Sequence, residues 1–207
     1  MTVSEIIFYF TIYSFLGWFL EVLYASYKSK RFVNRGFLFG PFCPIYGFGV
    51  LSLIILLQPI SSKPLLFFLG AILITSSIEY LTGFILEFIF KTNWWDYSDK
   101  KYNLNGKICL KFSIYWGILS LFLFYFIHPT IINFVSLILS KSFFYLPIII
   151  SLYFLTDFIF SLIFIINLRS FFRKLNNLKD DYQENLVLFK KRSKRLFQAF
   201  PHIKLIK

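Results

Sequence analysis

Residues Asn34 to Gly49 read N-R-G-F-L-F-G-P-F-C-P-I-Y-G-F-G, and this stretch decides how the rest of the chain has to fold. It holds four of the nine glycines (Gly36, Gly40, Gly47, Gly49) and two of the seven prolines (Pro41, Pro44), a composition that excludes a continuous helix. Yet it carries no charge after Arg35, which is not the make-up of a solvent loop. Apolar, helix-broken backbone is tolerated at a membrane boundary only where protein buries it or where it lines a cavity, so the stretch reads as a broken or re-entrant segment. Gly36-x-x-x-Gly40 matches a helix-packing pattern, although Pro41 directly after it weakens that reading.

On either side of this stretch the chain has the make-up of an all-α, polytopic helical membrane protein. Of its 207 residues 57% are hydrophobic and 15% charged, with mean hydropathy +0.68, which excludes an ordinary water-soluble domain. Long stretches without a basic residue separate Arg35 from Lys63, Lys63 from Lys91, Lys111 from Lys141, and Lys141 from Arg169. They predict about five transmembrane helices, at about 6–25, 43–60, 64–90, 112–127 and 143–168, with a basic amphipathic tail at 169–207. Ile131 to Leu139 is too short to cross and follows His128-Pro129, so it is expected as an interfacial piece. The leader Met1 to Glu5 has no basic n-region and no cleavage site follows it, so the first span is expected to be retained.

The formal net charge of +12 points to nucleic acid only as a bulk number. Lys28, Lys30, Arg31 and Arg35 follow the first span; Lys91, Lys100, Lys101, Lys107 and Lys111 follow the third; the tail carries the rest except Lys63 and Lys141. Those two alone fall in the alternate gaps. This bias predicts a cytoplasmic (inner) membrane protein with its N-terminus outside and its C-terminus in the cytoplasm. The tail, with apolar residues at Phe171, Leu175, Leu178, Tyr182, Phe189 and Leu196 and the run K-K-R-S-K-R at 190–195, is expected to meet anionic lipid rather than nucleic acid.

Four of the ten acidic residues lie inside the predicted spans: Glu21, Glu79, Glu87 and Asp157. A charge at a helix centre costs about 2.5 to 3.5 kcal/mol on insertion scales, so these groups have to be paired, protonated or hydrated. Glu79 stands 12 residues before Lys91 and Asp157 12 before Arg169, which at about 1.5 Å per residue puts both roughly 18 Å above those anchors. Glu21 and Glu87 lie nearer the cytoplasm, giving a descending series along a substrate or ion route. The competing reading has each acid neutralised by a nearby Lys or Arg or capping broken backbone. Arg35 is either a partner of Glu21 or Glu79 or a plain positive-inside anchor.

The loop Asn93 to Lys111 holds Trp94, Trp95, Asp96, Asp99, Asn103, Asn105 and Gly106. Asn105-Gly106 signals a turn, the tryptophans suit an interface, and the carboxylates and amides are candidates for bonding the glycine-rich segment or a partner. Cys43 and Cys109 fall at the reducing cytoplasmic edge, where small buried side chains are expected rather than a disulfide. His128 and His202 are expected to be interfacial. No nucleotide-binding, zinc-protease or serine-hydrolase motif occurs, so no catalytic residue, metal site or cofactor is assigned, and an enzymatic role is the less favoured reading.

The strings G-W-x-x-E (Gly17 to Glu21), N-R-G-F-L-x-G-P-x-C-P-I-Y-G (Asn34 to Gly47), W-W-D-Y-S (Trp94 to Ser98) and N-x-N-G-x-I-C-L (Asn103 to Leu110) together resemble the CmpB-like family of small bacterial membrane proteins, described as type IV ABC-transporter permeases. The resemblance covers roughly the first two thirds of the chain. It implies a permease-type transport subunit serving a separate ATPase; the lipid bilayer and a second copy of the chain are further partners to be expected, apart from the resemblance. Its matching positions are Gly17, Glu21, Arg35, Gly36, Gly40, Pro41, Cys43, Pro44, Tyr46, Trp95, Asp96, Asn105 and Gly106. Two other functions remain open: a membrane-embedded enzyme acting on a lipid or lipid-linked substrate at the cytoplasmic face through Glu21, Asp96 and Arg35, and a non-catalytic assembly factor whose tail recruits partners.

Overall fold

A computed structural model describes residues 1–141, 145–177 and 204–205. The chain is a helical, multi-pass membrane protein: α1 (Val3–Ser29), α2 (Pro44–Leu57), α3 (Pro64–Phe90), α4 (Leu110–Phe122), α5 (His128–Ser140) and α6 (Leu146–Asn177). A 3-10 turn, Gln58–Ile60, extends α2, and a π-helical turn, Leu123–Ile127, joins α4 to α5. Four two-residue strands complete the order, with β2 (Asn103–Leu104) antiparallel to β3 (Ile108–Cys109) and β1 (Thr92–Asn93) antiparallel to β4 (Lys204–Leu205).

Helix ends follow local chemistry. Thr2 and Glu5 form a reciprocal capping box at the start of α1, with hydrogen bonds of 2.6 and 3.2 Å that satisfy donors the helix cannot reach. Pro44 and Pro64 open α2 and α3 at the position where a missing N–H is harmless. α1 and α3 both stop where a lysine, Lys30 or Lys91, turns into the left-handed region at φ 52°.

Among the described residues four helical stretches are long and apolar enough to cross a bilayer: Val3–Ser29, Pro64–Phe90, Leu110–Ser140 and Leu146–Asn167. The expected end of the fourth span at Ile127, with an interfacial piece beyond it, is corrected by the 31-residue run Leu110–Ser140. Pro129 does not break this helix. The π turn before it, in which the His128 N–H reaches back to the Leu123 carbonyl, shifts the hydrogen-bond ladder and accommodates the proline. His128 is consequently buried inside the bundle rather than interfacial, bonded to the Tyr13 hydroxyl at 2.7 Å through Nδ1.

α2 has only 14 residues, about 21 Å, because it starts deep inside the bundle. The Cys43 N–H donates to the carbonyl of Ser14, near the middle of α1, at 2.9 Å. Residues 30–43 therefore fold back from the basic end of α1 as non-helical backbone, and α2 covers the remaining depth. The broken segment predicted at 34–49 is this return as far as Cys43; its last residues, Pro44 to Gly49, are instead the first turns of α2.

α2 is the central helix, held against α1 and α3, while α5 and α6 pack on α1 and α4 packs on α3. α1 and α2 approach so closely at Gly17 that a Cβ there would overlap the Tyr46 ring. Away from the basic end the core is apolar: Phe8, Tyr9, Val50, Leu51, Ile54, Ile131 and Val135 form one cluster, and Leu53, Leu57, Phe67 and Ala71 another. α6 exposes Leu152, Leu155, Ile159 and Ile163 on one side and buries Asp157, Ser161 and Ile165, four apart, on the other. Of the predicted tail at 169–207, α6 takes in the first residues to Asn177; the run at 190–195 and His202 lie outside the described residues.

Candidate functional site

The basic end of the bundle is polar inside, and two folded-in segments account for it. The first, residues 30–43, is wedged between α1 and α6. Asn34 accepts from the Trp18 indole at 2.8 Å, Phe42 packs on Phe15, Tyr153 and Phe154, and Phe37 packs on Phe90, Trp94 and Phe158. Its backbone N–H groups have no helical partners, and hydrocarbon provides none. Asp157 does: its carboxylate accepts from Phe39 N at 2.9 Å and Gly40 N at 2.8 Å, and also from Ser161 at 3.2 Å. A Cβ at Gly40 would strike the Tyr153 hydroxyl and stand 2.8 Å from the Asp157 carboxylate, so only glycine lets the carboxylate come this close.

The second segment, residues 91–109, folds back between α3 and α4. Asn105 and Gly106 take left-handed conformations (φ 52° and 67°) and reverse the β2–β3 hairpin. Asp96 accepts from the Ser98 backbone at 2.9 Å and hydroxyl at 2.5 Å, Asn103 bonds the carbonyls of Ser98 and Lys100, and Asn105 donates to Tyr80 on α3 at 3.0 Å. The Trp95 indole donates to the Lys107 carbonyl at 2.8 Å, and Lys107 pairs with Glu87. Trp94 is buried against Phe90 and Ile165 rather than lying at an interface. The carboxylates and amides of this loop thus hold the loop itself and fix it to α3.

Between the two segments, and including a residue from each, lies a cluster drawn from six parts of the chain. Glu21 of α1 pairs with Arg35 at 3.1 Å and accepts from the Tyr46 hydroxyl of α2 at 2.6 Å. Of the two partners the sequence offered Arg35, the structure gives Glu21. The Tyr46 ring meets Trp116 of α4 edge-on, 5.7 Å between centroids, and Trp116 lies beside the carboxylate of Glu79 on α3. The Tyr97 hydroxyl of the folded-in loop donates to one Glu79 oxygen at 3.1 Å while its ring stacks on Phe112. Burial, and Glu79 next to it, push the Tyr97 hydroxyl well above the ordinary tyrosine range, so it stays a donor.

Glu79 is 8% exposed, its second oxygen has no hydrogen-bond partner, and none of the ion pairs among the described residues includes it. Glu21, by contrast, is matched in charge by Arg35. The Ser14 hydroxyl, fully buried beside Gly47, is a second polar group without a partner.

A family model described as "Putative ABC-transporter type IV" matches residues 8–162, three quarters of the chain. The chain belongs to this ABC-transporter family. No curated relative and no solved structure matches it. The matched range takes in α1 from Phe8 on, α2 to α5, both folded-in segments and the part of α6 that carries Asp157, so every group of the cluster lies inside it.

In this ABC-transporter family member the four acids occupy three different settings. Glu21 and Glu79 belong to one cluster, Glu87 is held by Lys107, and Asp157 is bound to the backbone of the re-entrant segment on the α6 side. Cys43 and Cys109 are buried thiols, not joined in a disulfide. Two members of the cluster were not singled out by residue type. Tyr97 stands inside the W-W-D-Y-S string, where the alternation of aromatic and polar residues is its only signal. Trp116 has none beyond being a tryptophan in an apolar helix.

Proposed function

We propose that the chain is a permease-type subunit of an inner-membrane transport system that depends on a separate ATPase. Its N-terminus is outside and its basic end and C-terminus face the cytoplasm. The family supports a transport role, and the concentration of Lys and Arg at one end supports the orientation.

The observation that carries the reading is Glu79. A membrane protein that keeps a buried carboxylate with one unbonded oxygen and no cation is sustaining a stability cost, which is accounted for when the group meets a ligand during turnover. On this reading Glu79 and Glu21 receive the cationic or hydrogen-bond-donating part of a substrate. Tyr46 and Trp116 link the two, and Tyr97 covers Glu79 from the cytoplasmic side. Glu87 and Asp157 serve the architecture instead. ATP binding is left to the partner, because the chain has no phosphate-binding loop of its own.

The test is affinity capture of the full-length tagged chain from gently solubilised membranes. An ATP-hydrolysing subunit is expected to come with it in fixed proportion and to be lost on mild dissociation of the complex. Recovery of the chain with no nucleotide-binding protein, at any detergent mildness that keeps it monodisperse, overturns the reading.

A further inference from the structure

The hairpin and the start of α4 build a feature that the proposed route does not use. A cleft of about 520 Å³ lies between the loop and α4, lined by Asp99, Lys100, Lys101, Tyr102, Leu110, Lys111 and Ile114. Its charge is unbalanced. Lys100 and Asp99 pair at 2.7 Å, and this bond holds Asp99 below the usual carboxylate range. Lys101 and Lys111 are paired with no carboxylate among the described residues; Lys111 lies over the Tyr115 ring at 5.8 Å. The α4 N-terminus that enters the cleft has no side-chain cap and no acidic residue in its first turn, so its positive dipole end adds to the two lysines.

The cleft is also open along the helix. Leu110, Ile114, Ile118 and Phe122, each four residues from the next, are all exposed and form an apolar stripe that leads from the cleft up the outer face of α4. A cationic pocket at the foot of an apolar, lipid-facing track has the two-part chemistry of one molecule class, an anion carried on a hydrocarbon chain.

We propose that this cleft is a binding site for an anionic phospholipid of the cytoplasmic leaflet, its phosphate held by Lys101, Lys111 and the start of α4, and an acyl chain lying along Leu110, Ile114, Ile118 and Phe122. The assignment of the leaflet rests on the orientation proposed above; the site itself does not. A seated lipid links the hairpin to α4, and the same hairpin carries Lys107, the partner of Glu87.

The experiment places the full-length chain in phosphatidylcholine nanodiscs with a trace of photoreactive phosphatidylglycerol and maps the adducts by peptide mass spectrometry. Labelling is expected to concentrate on residues 99–122. It should fall about 25-fold in the Lys101→Gln/Lys111→Gln chain, two lysines near an anionic headgroup each contributing about a factor of five. The Lys28→Gln/Lys30→Gln chain, changed at the end of α1, should keep it. Equal labelling by a photoreactive phosphatidylcholine, or no fall in the double variant, overturns the proposal. Suppression by inorganic phosphate alone identifies a free-anion site and overturns it as well. Should the double variant not fold, Lys101→Gln on the exposed loop is expected to lower labelling about fivefold. Tag accessibility at Lys101 in whole cells reads the leaflet separately, so the site and the orientation can each fail alone.

Discussion

Asp157 and Glu79 stand the same number of residues from their basic anchors, yet one is a structural clamp and the other is a carboxylate without a counterpart. Around Asp157 the backbone comes to the acid: two N–H groups of the re-entrant segment, Tyr153 at 3.4 Å and Ser161 donate to it. Around Glu79 a single hydroxyl, Tyr97 at 3.1 Å, donates to one oxygen, the Trp116 side chain lies beside the carboxylate, and the Tyr97 donor sits on a loop that folds in from outside the bundle. Depth in the membrane therefore does not determine what a buried acid does; the supply of donors does.

The largest effect that separates the two regions is expected at Asp157. Asp157→Ala takes the acceptor from the part-buried N–H groups of Phe39 and Gly40, a cost of about 1 kcal/mol each, and frees the segment that sets where α2 begins. The thermal unfolding midpoint of the purified chain in detergent should fall sharply, and protease should cut within residues 30–43. Asp157→Asn, which keeps one acceptor oxygen, should lie between. A midpoint for Asp157→Ala within experimental error of the unchanged chain would erase the contrast.

How much of this was readable beforehand follows from which quantity each feature depends on. Counting along the chain locates apolar runs, and α1, α3 and α6 lie on such runs. Glycine and proline mark where backbone cannot be helical, so the return between Lys30 and Cys43 was readable too. Neither counting nor composition reports the rotation of a helix about its axis, and that rotation decides which acid faces which donor. Asp157 meets the re-entrant backbone because it shares a buried stripe with Ser161 and Ile165; nothing in its spacing from Arg169 says so. His128-Pro129 looked like a stop because proline usually is one, and a single π turn was enough to absorb it. Tyr97 and Trp116 were hidden by abundance: with 30 Phe and 13 Tyr in the chain, an individual aromatic carries little information.

A smaller effect is expected where the two regions differ in kind rather than strength. Tyr97→Phe keeps the stack on Phe112 and removes the hydroxyl that covers Glu79. The loss of one hydrogen bond is worth about 1 kcal/mol, so the unfolding midpoint should move by only a few degrees. The informative readout is local: hydrogen exchange of residues 96–106 should speed up while that of residues 36–43 stays as it was. Equal acceleration of both segments would mean that the two regions are one cooperative unit and that the distinction between clamp and uncovered acid is false.

The smallest change in stability belongs to Glu79→Gln, and it is the most telling. Gln keeps a carbonyl oxygen to accept from Tyr97 and removes an ionisable group that has one unbonded oxygen and no cation among the described residues. The desolvation cost it eliminates offsets the amide donors it introduces, so the unfolding midpoint should stay the same or rise slightly, opposite in direction to Asp157→Ala. If Glu79 serves a ligand, this equally stable chain should nonetheless fail at its task. ATP hydrolysis by the captured complex in liposomes should drop by about tenfold, the factor that corresponds to losing roughly 1.4 kcal/mol of interaction in the working cycle. A variant that is destabilised and still active would place Glu79 with Asp157 among the structural acids. One that is stable and inactive separates an acid that holds the fold together from one that the fold has to tolerate.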